Sequence, residues 1–186
     1  NENPERTGFA HFFEHLMFEG SENIGRGEFM TTIQGRGGTL NAYTSNDITY
    51  YYELLPSNEL ELALYMESER MLHSKVDITG VETQREVVKE EKRQRIDNQP
   101  YGSILTETLA RAYTVHPYRW APIGSLEHLN AATIEEFQQF YKDFYVPNNA
   151  TLTIAGDIDY AQTESWVRKY FAEIPKGAKE IYRPAV

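Results

Sequence analysis

The stretch His11–His15, HFFEH, lies within RTGFAHFFEHLMFEGS (Arg6–Ser21) and governs how the rest of the chain is read. Two histidines stand four residues apart, with a glutamate just before the second. Phenylalanine, leucine and methionine fill most of the positions around them. The apolar pattern predicts a helix over about 7–18, ended by Glu19-Gly20-Ser21. On a helix, residues three and four apart share a face, so His11, Glu14 and His15 point the same way. Two imidazoles one turn apart reach a single metal ion, and zinc suits them by ligand type and by tetrahedral geometry. Glu14 stands beside that ion without needing to bind it, where a general base for a metal-bound water belongs. A structural histidine pair on a half-buried helix is the competing reading. Against it, ionisable groups in an apolar run are costly unless something compensates for them, and a metal ion does so.

Composition narrows the classes. A chain of 186 residues suits one substantial domain, and 40% hydrophobic with 25% charged residues is enough for a proper core. The net charge of −10 excludes a nucleic-acid partner of the usual kind, which needs clustered Lys and Arg against the phosphates. No apolar run approaches the roughly 20 residues of a membrane span. Cysteine is absent, so disulfides and thiolate metal sites are excluded, and any metal must use His, Asp and Glu.

Further along, a short helix is expected around 27–34, followed by the breaker Gly35–Gly38. Thr39–Pro56, TLNAYTSNDITYYYELLP, reads as a β-hairpin turning at Ser45-Asn46-Asp47. Asn58 and Glu61 suggest a capping box for a helix with Leu60, Leu64 and Met71 on one face. Helices are expected over about 81–96, 103–112, from Thr133 with Glu136 in its first turn, and over 161–174. Ala150–Gly156, ATLTIAG, reads as a strand with Leu152 and Ile154 on one face. Few strands among several helices make the fold class α+β.

A catalytic zinc site needs a third protein ligand. In QREVVKEEKRQR, the positions Gln84, Val87, Val88, Glu91 and Arg95 form one helical stripe, and the valines mark it as the buried side. Glu91 is therefore the better candidate and Glu90 the runner-up. A surface acid on a charged helix is the plainer reading of Glu91 when HFFEH is set aside.

The motif H-x-x-E-H, with Phe18, Gly20-Ser21 and a downstream glutamate, resembles the pitrilysin and insulin-degrading enzyme family of inverted zincins. GGTLNAYTSNDITYYYELLP, REVVKEEKRQRIDNQP, HPYRWAPIG and FYVPNNATLTIAGDID are similar to further family segments, in the same order, across essentially the whole chain. In that family the third ligand is a glutamate roughly 75 residues beyond the second histidine. Glu91 lies 76 residues beyond His15. The resemblance implies a zinc endopeptidase in which His11, His15 and Glu91 bind the ion and Glu14 is the catalytic base. The strand holding Asn41 and Ala42 would pair with an extended peptide substrate; a bulge or turn role is the alternative for Asn41. Gln84 takes the place of a glutamate that supports the site in many relatives. The implied fold is a mostly antiparallel sheet with helices packed on it. Residues 1–186 would form one catalytic domain cut from a larger peptidase, with upstream strands and a second homologous half lying outside it. The alternative function is a non-catalytic partner subunit that binds peptides. Tyr50–Tyr52, His73, His116 and His128 read as structural.

Overall fold

The computed structural model describes residues 2–183. Helix α1 (Phe9–Leu16) carries the HFFEH motif and is shorter than expected at both ends. Gly8 precedes it with φ at 93°, and a Cβ there would lie 2.8 Å from the Ile123 carbonyl oxygen, so only glycine fits. That glycine offers no side chain to cap the helix. Glu2 does the capping from outside: its carboxylate accepts the backbone N–H groups of Gly8 and Ala10, each at 2.9 Å. Burial nevertheless pushes the Glu2 carboxyl above its ordinary range.

The face of α1 opposite the histidines is apolar. Phe9, Phe12, Phe13 and Leu16 are buried and join Val81, Val88 and Phe137 in the main core. The Phe137 ring is stacked 4.8 Å from Phe9 and 4.7 Å from Phe12, centroid to centroid. Each such burial stabilises the fold by about 1.5–3 kcal/mol. This core therefore fixes the depth and rotation of the helix that carries the ionisable groups.

Helix α2 (Glu28–Gly35) and the hairpin β1 (Thr39–Thr44) and β2 (Thr49–Leu54) follow as expected. The strands pair antiparallel in register Asn41↔Tyr52, Ala42↔Tyr51 and Thr44↔Thr49. Leu40, Ala42 and Thr44 lie on the more buried face of β1, turned towards α1 and α2. Tyr118 ties down the hairpin turn by donating its hydroxyl to Asp47, at 2.7 and 2.8 Å from the two carboxylate oxygens.

Helix α3 (Leu60–Leu72) enters through a 3-10 turn at Ser57–Glu59 rather than through a capping box. Asn58 spends its amide on Glu59, 3.2 Å away, so no side chain caps the first turn. Arg70, near the end of α3, is 3% exposed. Its guanidinium sits 4.6–4.7 Å from the ring centres of Phe18, Phe29 and Tyr51. It pairs with Glu67 at 3.1 Å and donates to the Met17 carbonyl at 2.7 Å, closing the C-terminal end of α1. Behind it, burial pushes the Glu53 carboxyl up to about 8; the neighbouring Glu67 adds to the rise and Arg70 opposes it.

Helix α4 (Ile78–Lys92) begins three residues earlier than expected, because Asp77 accepts the Gly80 N–H at 2.8 Å. It ends in a π-turn, Arg93–Asp97, a feature often found at functional sites. Its buried row is Val81, Arg85 and Val88. Val87 is 43% exposed, which corrects the stripe drawn from the sequence: that stripe was rotated by part of a turn, with Val88 and Glu91 inward and Val87 outward. Helices α5 (Ile104–Ala112), α6 (Leu126–Ala131), α7 (Ile134–Phe144) and α8 (Tyr160–Phe171) complete the described chain. The Thr133/Glu136 capping box at the start of α7 forms as expected.

The fold is thus helical around one two-stranded ribbon, and the expectation of a mostly antiparallel sheet is corrected. Residues 151–155 adopt no regular structure. The alternating pattern is present, but a strand is defined by a partner that takes its N–H and C=O groups. Among the described residues 150–156 has none, and Leu152 is 46% exposed.

Candidate metal centre

Helix α1 lies against α4, and that contact brings the motif to a carboxylate from far along the chain. Glu91 Oε2 is 3.4 Å from His11 Nε2 and 3.2 Å from His15 Nε2. The two imidazole rings stand edge to face with centroids 4.9 Å apart. One donor atom from each of the three residues falls within 4.8 Å of the others. Glu90 turns away to solvent and pairs with Arg93 at 2.5 Å, so Glu91 is the acid that the fold delivers.

The donor set fits a zinc ion. Two ligands at roughly 2.0–2.1 Å and a tetrahedral angle are separated by about 3.3–3.4 Å. The carboxylate oxygen stands at 3.2 and 3.4 Å from the two ring nitrogens. Hydrogen bonds from the two imidazoles hold the Glu91 carboxyl well below the usual carboxylate range, although burial pushes the other way. An ionised carboxylate is the form a metal requires. Arg95, on the π-turn, holds the second oxygen, Glu91 Oε1, at 2.7 Å. His11 is buried, and its Nδ1 has no hydrogen-bond partner among the described residues.

Glu14 is not in this cluster of donors. It projects from the same face of α1 towards β1, where the Thr44 hydroxyl donates to its Oε2 at 2.5 Å. Thr44 is a contact that motif reading passed over. The signal was available: alternation along β1 puts Thr44 on the same inner face as Ala42. Asn41 is exposed in a regular strand with no bulge, and its Oδ1 accepts the Ala42 N–H at 2.9 Å. Gln84 does not touch the three donors. It lies two helical turns back from Glu91 and donates to Glu19 at 2.5 Å, at the end of the motif segment. His128 accepts from the Thr7 N–H at 3.2 Å and His116 from the Tyr118 N–H at 3.2 Å, both structural contacts.

The H-x-x-E-H helix met by a glutamate from a second helix groups three donors of the types that hold a divalent metal ion. Residues 1–120 match the family described as insulinase (peptidase family M16), and residues 131–186 match the peptidase M16 inactive domain; the chain belongs to peptidase family M16. It is 33% identical over 174 residues to the zinc protease PqqE of Helicobacter pylori, covering 94% of this chain and 39% of that protein. It is 28% identical over 180 residues to a probable mitochondrial-processing peptidase subunit beta of Schizosaccharomyces pombe, covering 97% of this chain and 39% of that one. The crystal structure of a protease from Helicobacter pylori superposes with a TM-score of 0.92 at 32% identity, over all of this chain and 44% of that one. Pitrilysin superposes with a TM-score of 0.86 at 19% identity, over all of this chain and 20% of that one, which shows the shared fold. The chain thus spans about two fifths of the length of the curated relatives it matches. No helix among the described residues is long and apolar enough to cross a membrane.

Proposed function

We propose that this chain is the catalytic domain of a zinc-dependent endopeptidase that cleaves peptides or unfolded segments. The observation that carries the reading is the convergence of His11, His15 and Glu91 donors within 4.8 Å, with the Glu14 carboxylate presented from the same helix face. A zinc ion held by those three residues would supply Lewis acidity, lowering the pKa of a coordinated water to about 7 and polarising the scissile carbonyl. Glu14 would take a proton from the attacking water and return it to the leaving amine. Its Oε2 is already engaged by Thr44, so Oε1 is the oxygen left for this work.

The substrate backbone would add to the open edge of β1. Main-chain pairing there demands little of the substrate's sequence. The Ala42 N–H points to that edge, because it bonds to Asn41 Oδ1 and not to β2. An incoming strand would displace the Asn41 amide and take the Ala42 N–H. Residues 1–186 act as one domain of a two-part peptidase, working with a second homologous half. The support is the share of its relatives that the chain spans, and a similar structure described as the first half of the periplasmic protease PqqL from Escherichia coli.

The test is Glu14→Gln in the full-length protein, assayed on a fluorogenic peptide with and without a chelator. The variant is expected to keep its zinc and lose cleavage. Unchanged turnover would remove Glu14 from the mechanism.

A further inference from the structure

A short hydrogen bond, Thr44 Oγ1 to Glu14 Oε2 at 2.5 Å, joins the ribbon to the motif helix, beside a longer one from the Tyr51 hydroxyl to the Phe13 carbonyl at 3.4 Å. A hydroxyl has one proton to give and lone pairs to receive. If Thr44 gives its proton to Glu14, its oxygen faces the Thr49 hydroxyl directly across the ribbon, 3.4 Å away. Thr44 and Thr49 are paired in register. The Ser45 N–H bonds to the Ile48 carbonyl at 2.8 Å just beyond them, so alternation makes Thr44–Thr49 a non-hydrogen-bonded pair, the kind whose side chains lie closest. The hydroxyl order Thr49, Thr44, Glu14 is therefore built into the register of the hairpin.

The same alternation sets the backbone of Thr44. In a strand, the N–H and C=O groups of residues i and i+2 point to the same side. The Ala42 N–H points away from β2, to the open edge, so the main-chain groups of Thr44 do as well. Thr44 thus faces the open edge with its backbone and the Glu14 carboxylate with its side chain.

We propose that Thr44 is a positioning residue that fixes the Glu14 carboxylate and couples it to the strand edge on which a substrate backbone docks. The inference rests on the peptidase reading above. A peptide seated on β1 would bond to the Thr44 main chain, while the Thr44 hydroxyl holds the Glu14 carboxylate in a fixed relation to that peptide. A charge-assisted hydrogen bond also holds one oxygen and leaves the other free, which selects one rotamer of the base.

The test uses the full-length protein with Thr44→Val, Thr44→Ser and Thr49→Val, each checked for zinc content and native circular dichroism. Thr44→Val keeps the shape of the side chain and removes the hydroxyl. Loss of one hydrogen bond to a charged group predicts a fall in kcat of about 10- to 100-fold, with KM held within about twofold. Thr44→Ser is expected to restore kcat to within about threefold of the parent, and Thr49→Val to lower it by about two- to fivefold. A crystal structure of Thr44→Val gives a readout apart from turnover: the Glu14 carboxylate is expected to leave its position beside residue 44. The proposal is overturned if Thr44→Val keeps parental kcat, if Thr44→Ser is as impaired as Thr44→Val, or if the carboxylate stays in place in the valine structure. Absence of chelator-sensitive cleavage by the parent protein would instead strike the peptidase reading, and the structural readout would still decide whether Thr44 positions Glu14.

Discussion

Glu53 gives the protein a pH dependence that a single substitution should remove. It lies on β2 with its side chain almost wholly buried, 3.8 Å from Arg70. Burial raises its carboxyl from 4.5 to about 8, with Glu67 contributing and Arg70 opposing. Below pH 4.5 the carboxyl is protonated in both the folded and the unfolded chain. Between about 5 and 8 the unfolded chain has released this proton and the native state still holds it. The native state then binds more protons, so stability falls as pH rises, until both forms are ionised above about 8. One proton is worth about 1.4 kcal/mol per pH unit, and for a chain of this size that is roughly 3–5 °C of Tm per unit. Glu53→Gln keeps the shape and cannot ionise. The assay is thermal unfolding followed by circular dichroism from pH 5 to 8.5 on parent and variant. The difference between the two curves should widen by that slope in favour of the variant as pH rises, and level off above 8. Parallel curves would refute the argument and mean that Glu53 is charged in the folded protein, compensated by Arg70.

Two further outcomes follow from the packing around the motif. Phe137→Ala, which removes the ring stacked on Phe9 and Phe12, should lower unfolding free energy in urea by about 3–5 kcal/mol, while Phe137→Leu should cost clearly less. Arg95→Ala should weaken zinc affinity in a chelator competition by at most about tenfold, below the upper range for outer-shell groups, because the Arg95 side chain is 76% exposed.

The convergence of the His11, His15 and Glu91 donors was the most legible part of the sequence. It depends on a local spacing, i and i+4 on one helix, and on a glutamate whose helix was strongly marked. The helix face of α4 was less legible, because Val87 and Val88 are adjacent and periodicity alone does not say which turns inward. The structure buries Val88 and exposes Val87. The clamps on α1 were not legible at all: Glu2 at one end and Arg70 at the other act through long-range contacts that follow no local pattern. Residues 150–156 carried a true alternation, but pairing is a property of two segments, and among the described residues no second segment pairs with them. The contact that Gln84 makes was not legible for a related reason. Its place on the helix was read well, but its partner, Glu19, was decided by the turn that ends the motif segment.

The central requirement is that His11, His15 and Glu91 together hold one zinc ion. Elemental mass spectrometry on dialysed, natively folded protein tests this directly, with Glu91→Ala and Glu90→Ala prepared alongside. One zinc per chain is expected in the parent and in Glu90→Ala, with loss in Glu91→Ala. A parent that stays empty after incubation with excess zinc, or a Glu91→Ala variant that binds as well as the parent, would contradict it.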